Sequence, residues 1–167
     1  VLKRMGAKIK VSRCQSVKVS RYEPMGDIAV ETSCLRGVTV RKEDIPGLID
    51  ELPILMVAAP VSRGETIFEG IGELRFKETD RVHSMLQNLK KMGVKIKITK
   101  SRHGENIVIR GAKELRGARV RSFGDHRTAM SMIAAGLRAK GKVSIDDVSC
   151  INKSFPEFLS ILKSLLY

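Results

Sequence analysis

Apolar residues at Val82, Met85, Leu86 and Leu89 recur at three- and four-residue intervals. That spacing marks one face of a helix and predicts a helix over residues 77–92. Gly93 directly after it fits the C-terminal cap. A second helix is predicted from about Asp50 onward, through the run 54–61, with Pro53 in its first turn and Gly64 closing it. The segments 37–40, 66–68, 95–99 and 106–110 read as strands, the last two meeting around His103-Gly104. A third helix is predicted over 128–137, and the apolar stretch 158–167 is helix-like. The order from 37 to 110 is therefore β-α-β-α-β-β, and the class is α+β.

The same pattern recurs. Residues 2–12 read LKRMGAKIKVS and residues 89–99 read LKKMGVKIKIT, identical at seven of eleven positions. With a period of 76, Met56, Ala58, Ala59, Lys77 and Leu86 fall on Met132, Ala134, Ala135, Lys153 and Leu162. Gly37-Val38-Thr39-Val40 also matches Gly117-Ala118-Arg119-Val120. Three pieces follow: 1–36 as the end of one unit, 37–116 as a complete βαβαββ unit, and 117–167 as a unit lacking its closing strands. Cut units leave strand edges unpaired and helix faces bare, so further polypeptide is expected.

Composition narrows the function. The 167 residues carry 31 Lys+Arg against 18 Asp+Glu, a net charge of +13, which points to anionic partners. Aromatics are only 4%, with no Trp, which weighs against a single-strand nucleic-acid binder that stacks bases. The longest apolar run, 54–61, is far short of the ~20 residues of a membrane span. Cys14, Cys34 and Cys150 are widely spaced and form no metal-ligand or disulfide pattern. With no leader pattern, reduced thiols and a cytoplasmic setting are expected.

Candidate chemistry collects at loop-to-helix junctions. Lys77 and Arg81 are four apart and are expected on one helix face, where two cations near an N-terminus bind phosphate or carboxylate. Glu78 lies between them as a candidate acid/base. A solvated, salt-bridged helix start is the alternative. Asp125 fits an N-cap, with His126 and Arg127 projecting behind it. His126 reads equally well as a structural histidine. Asp50 corresponds to His126 under the 76-residue period, and Lys153 to Lys77. Taken alone, Asp50 is a helix cap and Lys153 a surface lysine.

Leu74-Arg75-Phe76-Lys77-Glu78-Thr79-Asp80-Arg81 resembles the LRVKE[ST]DR signature of the 5-enolpyruvylshikimate-3-phosphate synthase family. Gly124-Asp125-His126-Arg127-Thr128-Ala129-Met130 resembles its DHR-x-AM motif, and Lys153-Ser154-Phe155-Pro156-Glu157-Phe158 its SFP-x-F segment. Ile49-Asp50-Glu51-Leu52-Pro53-Ile54 resembles its acidic site before a helix. The resemblance implies repeated βαβαββ subdomains and a longer protein, of which this is the C-terminal portion. It implies transfer of the enolpyruvyl group of phosphoenolpyruvate to the 5-hydroxyl of shikimate 3-phosphate, with no metal or organic cofactor. Asp50 would take the hydroxyl proton, and Lys77 would contact shikimate 3-phosphate. Glu78 would protonate the methylene carbon. Arg81, Arg127 and Lys153 would hold phosphoenolpyruvate, with His126 and Asp125 in support. The absent N-terminal domain would supply the remaining ligands, so the isolated chain is expected to be inactive. A fragment of UDP-N-acetylglucosamine enolpyruvyl transferase is the sibling reading. A basic nucleic-acid-binding module is the reading from another class.

Overall fold

The computed structural model describes residues 1–13, 26–102 and 104–166. Cys14, His103 and Tyr167, on which parts of the reading above rest, lie outside the described residues. The chain opens with two antiparallel strands, β1 (Lys8–Arg13) and β2 (Gly26–Glu31), paired Lys8 to Glu31 through Arg13 to Gly26. Val11 and Ile28, at 62% and 68% exposure, leave this ribbon bare.

The central region follows the predicted order: β3 (Thr39–Val40), α1 (Leu52–Ala58), β4 (Glu65–Phe68), α2 (Arg81–Lys91), β5 (Ile96–Ser101) and β6 (Gly104–Arg110). They form a mixed four-stranded sheet in the order β3-β4-β6-β5. β3 runs parallel to β4, so α1 is the crossover helix that a parallel pair requires. The other two pairings are antiparallel. All four apolar positions read from the pattern of α2 are buried, together with Phe68, Leu74, Ile107 and Ile109. This is the main core.

The chain then continues through β7 (Leu115–Arg116), β8 (Arg119–Val120), α3 (His126–Gly136), β9 (Ala139–Lys140), β10 (Ser144–Ile145) and α4 (Phe158–Ser164). β8 pairs parallel with β10 across α3, and β7 parallel with β9. α1 and α3 pack together. Mixed helices and strands make this an α+β fold.

Two sequence similarities have local structural counterparts. Gly6 and Gly93 both lie at positive φ, +91° and +85°. Around each, the same hydrogen bonds close the turn: Gly6 N to Lys3 O and Ala7 N to Leu2 O, against Gly93 N to Lys90 O and Val94 N to Leu89 O, all 3.0 Å. Gly37 and Gly117 are both places of close approach. A Cβ would sit 2.1 Å from the Glu65 oxygen at the first and 2.6 Å from the Lys142 oxygen at the second, so no side chain fits at either.

Three details differ from the sequence reading. α2 starts at Arg81 rather than Lys77, because Asp80 caps it by accepting the His83 amide at 2.8 Å. Residues Ile71–Phe76 form a separate 3₁₀ stretch, and Lys77 is extended. Lys77 and Arg81 therefore do not share a helix face. α1 ends at Ala58, well ahead of Gly64, which instead turns the chain into β4. The two-residue strands β7, β9 and β10 were invisible in the pattern, since two residues carry no period.

Candidate functional site

The site forms where the N-termini of α2 and α3 meet the residue before α1. Each junction is set locally. Asp80 caps α2 and also accepts from Arg75 Nη1 at 2.6 Å, while Arg75 Nη2 reaches Glu105 on β6 at 2.7 Å. The salt-bridged reading of this loop is thus correct for Arg75 and Asp80. Asp125 caps α3, accepting the Thr128 amide at 2.7 Å. Before it, Phe123 adopts φ +57°, a conformation costing roughly 1–2 kcal/mol in a residue with a Cβ. Arg121 over its ring at 5.0 Å and His83 edge-on at 6.0 Å pack against it.

Arg81 is the hub. Its side chain is 1% exposed, and carboxylates hold all three guanidinium nitrogens. Nε donates to Asp125 Oδ2 at 2.9 Å, Nη1 to Asp50 Oδ1 at 2.9 Å and Nη2 to Glu78 Oε2 at 2.6 Å. Arg127 joins from α3. Its Nη1 donates to the Asp50 backbone oxygen at 2.9 Å and lies 3.4 Å from Glu51 Oε1, while Nη2 lies 3.3 Å from Asp50 Oδ2. Asp50 is thus no helix cap. Glu51 occupies that position, and Asp50 bridges the two guanidiniums instead.

Electrostatics follow from these contacts. Partial burial alone would push the Asp50 carboxyl up. The Arg81 hydrogen bond and the charges of Arg127, Arg81 and Lys77 outweigh it and hold its pKa below the usual carboxylate range. Burial likewise opposes the Arg81 cation. Asp125, Asp50 and Glu78 overcome that and leave its pKa raised. Lys77 is exposed and acts on Asp50 through its charge. Lys153 is exposed at the end of the 3₁₀ stretch Ser149–Lys153, and His126 opens α3. Among the described residues neither side chain bonds to the cluster. The structure therefore brings together Asp50, Glu78, Arg81, Asp125 and Arg127, sets Lys77 nearby, and leaves Lys153 and His126 at the margin.

Sequence reasoning missed the polar seam behind this cluster. Arg81, Ser84 and Asn88 lie on one face of α2, and all are buried. Ser84 Oγ lies 3.1 Å from Thr128 Oγ1. The Asn88 carboxamide donates to Arg121 O at 2.7 Å and accepts from Arg121 N at 2.9 Å. The available signal was the spacing of three polar residues flanking the apolar face, which reads equally as a solvated side.

A cavity of about 170 Å³ opens beside Asp50 and Arg127, walled by Ile54, Met130, Ala134 and Phe158. Among the described residues, no group of three or more His, Cys, Asp or Glu is placed to hold a metal ion. None of the helices described is long and apolar enough to cross a membrane.

Comparison with known proteins places the chain. The family profile described as EPSP synthase (3-phosphoshikimate 1-carboxyvinyltransferase) matches residues 1–162. A 3-phosphoshikimate 1-carboxyvinyltransferase of Petrotoga mobilis is 43% identical over 166 residues, 99% of this chain and 37% of that protein. One of Geotalea uraniireducens is 38% identical over the same shares. The solved EPSP synthase of Acinetobacter baumannii superposes with a TM-score of 0.85 at 34% identity, covering 98% of this chain and 37% of that one. The enolpyruvyl transferase NikO of Streptomyces tendae shares the fold, with a TM-score of 0.68 at 17% identity. This chain spans about 37% of the length of these curated relatives. It belongs to the EPSP synthase (3-phosphoshikimate 1-carboxyvinyltransferase) family.

Proposed function

We propose that this chain is the C-terminal portion of an enzyme that transfers the enolpyruvyl group of phosphoenolpyruvate to the 5-hydroxyl of shikimate 3-phosphate. The observation that carries this reading is the convergence of Arg81 and Arg127 on Asp50, with Glu78 bound to the same guanidinium. Two cations and two carboxylates within one cluster suit a reaction between two anions that needs proton removal and proton delivery.

In this mechanism Asp50 accepts the hydroxyl proton as the oxygen bonds to C2 of phosphoenolpyruvate. Glu78 gives a proton to C3, forming a tetrahedral adduct. The adduct then returns a methyl proton to the Glu78 carboxylate as phosphate leaves with the proton held by Asp50, restoring the double bond and both side chains. No electrons are gained or lost, so the scheme needs no redox cofactor, and acid/base groups suffice without a metal. Arg81 and Arg127 clamp the carboxylate and phosphate of phosphoenolpyruvate, as planar guanidiniums do. An incoming anion would exchange for Asp50 and Glu78 on these nitrogens, leaving Asp50 free to accept a proton and Glu78 free to take one up from water and pass it on. Asp125 holds Arg81 by Nε and leaves its outer edge available for exchange. Lys77 contacts shikimate 3-phosphate, Lys153 contributes to phosphate binding, and His126 supports the loop.

The subdomain reading belongs to the same proposal. Residues 37–116 form one βαβαββ subdomain, 1–36 end a preceding one, and 117–167 begin a last one. The paired glycine geometries and the two parallel crossovers support it. A separate N-terminal domain would complete the site, in a cytoplasmic enzyme. The free thiols Cys34 and Cys150 accord with that compartment.

Incubating the chain with both substrates should give no phosphate release, and adding an N-terminal portion should restore it. Saturable turnover by the chain alone would overturn the half-site reading. In the assembled enzyme, Glu78→Gln should lower kcat by about 10²–10⁴-fold. Protection from heat by shikimate 3-phosphate, and not by a UDP-sugar, separates this reading from the sibling transferase.

A further inference from the structure

We propose that the concavity beyond the C-terminal end of α2 is a binding site for an oligophosphate group. It lies at the opposite end of the helix from Arg81, roughly 16 Å away for eleven residues of α-helix. It encloses about 380 Å³, and Lys95, Arg110, Lys113 and Arg116 line it. These cations come from two stretches of chain: Lys95 just before β5, and Arg110, Lys113 and Arg116 in the run from the end of β6 through β7.

Two observations make this more than a basic surface. First, none of the four cations has an ion pair or side-chain hydrogen bond among the described residues. The one acid in the lining, Glu114, is engaged by Lys140 at 4.0 Å. Four exposed cations and one carboxylate line the concavity, and a multiply charged anion relieves the net repulsion among them. Second, the walls are fixed. Gly111 N donates to Gly64 O and Ala112 N to Pro60 O, both at 2.7 Å. Arg116 N donates to Met92 O at 3.0 Å, and the Arg116 stem lies across Gly93.

The chemistry favours a phosphate chain over a single anion. Two guanidiniums offer bidentate donors and two ammoniums offer point charges, spread across a cavity of small-molecule size. Among the described residues no aromatic side chain lines the cavity, so none of them there stacks on a nucleobase. The recognised chemistry is the phosphate chain itself, whether free or esterified to a nucleoside. The inference stands apart from the proposed catalytic reaction, since it shares no residue with that site.

Calorimetric titration of the whole chain with inorganic tripolyphosphate, in about 0.15 M salt, tests it. Saturable binding is expected, at least about tenfold tighter than that of inorganic phosphate. A nucleoside triphosphate should bind within about twofold of tripolyphosphate if the base adds nothing. The double variant Arg110→Ala/Arg116→Ala should weaken binding about tenfold or more, while Lys8→Ala/Lys10→Ala in the exposed ribbon and Arg127→Ala in the other site should change it less than about twofold. Equal weakening by all three, no saturable binding, or much tighter binding of the nucleotide would overturn the proposal.

Discussion

The 76-residue sequence period sets α4 opposite α2 in the sequence, and the surroundings of the two helices differ. α2 has eleven residues, seven of them buried, and an N-cap whose side chain is hydrogen-bonded. α4 has seven residues, none buried, and no side-chain cap at Glu157. Both sequences are apolar at helical spacing. α2 packs into the main core with the four-stranded sheet and against the 121–125 loop and the start of α3. α4 follows the two-stranded pair β8-β10 and exposes Ile161 at 45% and Leu165 at 76%. The lesson is that apolar spacing specifies which face of a helix needs covering, and the cover supplies most of the stability.

The largest effect should come from removing the counter-ion of the buried hub. Asp125→Ala strands the Arg81 guanidinium and uncaps α3, and should destabilise the chain by about 3–5 kcal/mol in urea titration. A loss below about 1 kcal/mol would mean that Asp50 and Glu78 alone satisfy Arg81. Next comes the direct contrast between the helices. Met85→Ala, in the core under α2, should cost about 2–5 kcal/mol. Ile161→Ala on α4 should stay within about 0.5–1 kcal/mol. Similar losses would erase the distinction between a covered and an uncovered helix.

Acid titration should give a smaller effect. The pKa of Asp50 is lowered on folding, so its contribution is complete above the ordinary carboxylate value and fades as pH falls through the depressed one. Asp50→Asn should therefore flatten part of the stability loss between about pH 5 and pH 2. Asp50 is 43% exposed, so salt should weaken the difference. An unchanged acid limb would show that Asp50 adds nothing to folding. The mildest test is hydrogen exchange. Amides of α4 should exchange well before those of α2, and equal protection would point to a cover over α4.

Much of the fold was legible because its cues are local. The apolar face of α2, Gly93 after its end and the Asp125 cap all depend on residues within one turn of each other. The start of α2 was misread because the chain stays non-helical from Lys77 until the Asp80 cap, and the run of alternating charges hides that break. β7, β9 and β10 were not legible at all, since two-residue pairings are created by the strand they meet.

Periodicity and capping in the sequence were enough for the α+β class, the α2 core face and the Asp125 cap. Tertiary structure alone decided that Asp50 is a bridge between guanidiniums and not a cap. Its partner Arg81 lies 31 residues away, and Asp125 lies 44 residues from that same arginine. Only the packing of α1, α2 and α3 brings them within 3 Å. Burial then gives those contacts their weight, because a guanidinium removed from water must be met by carboxylates, and the local sequence supplies only Glu78.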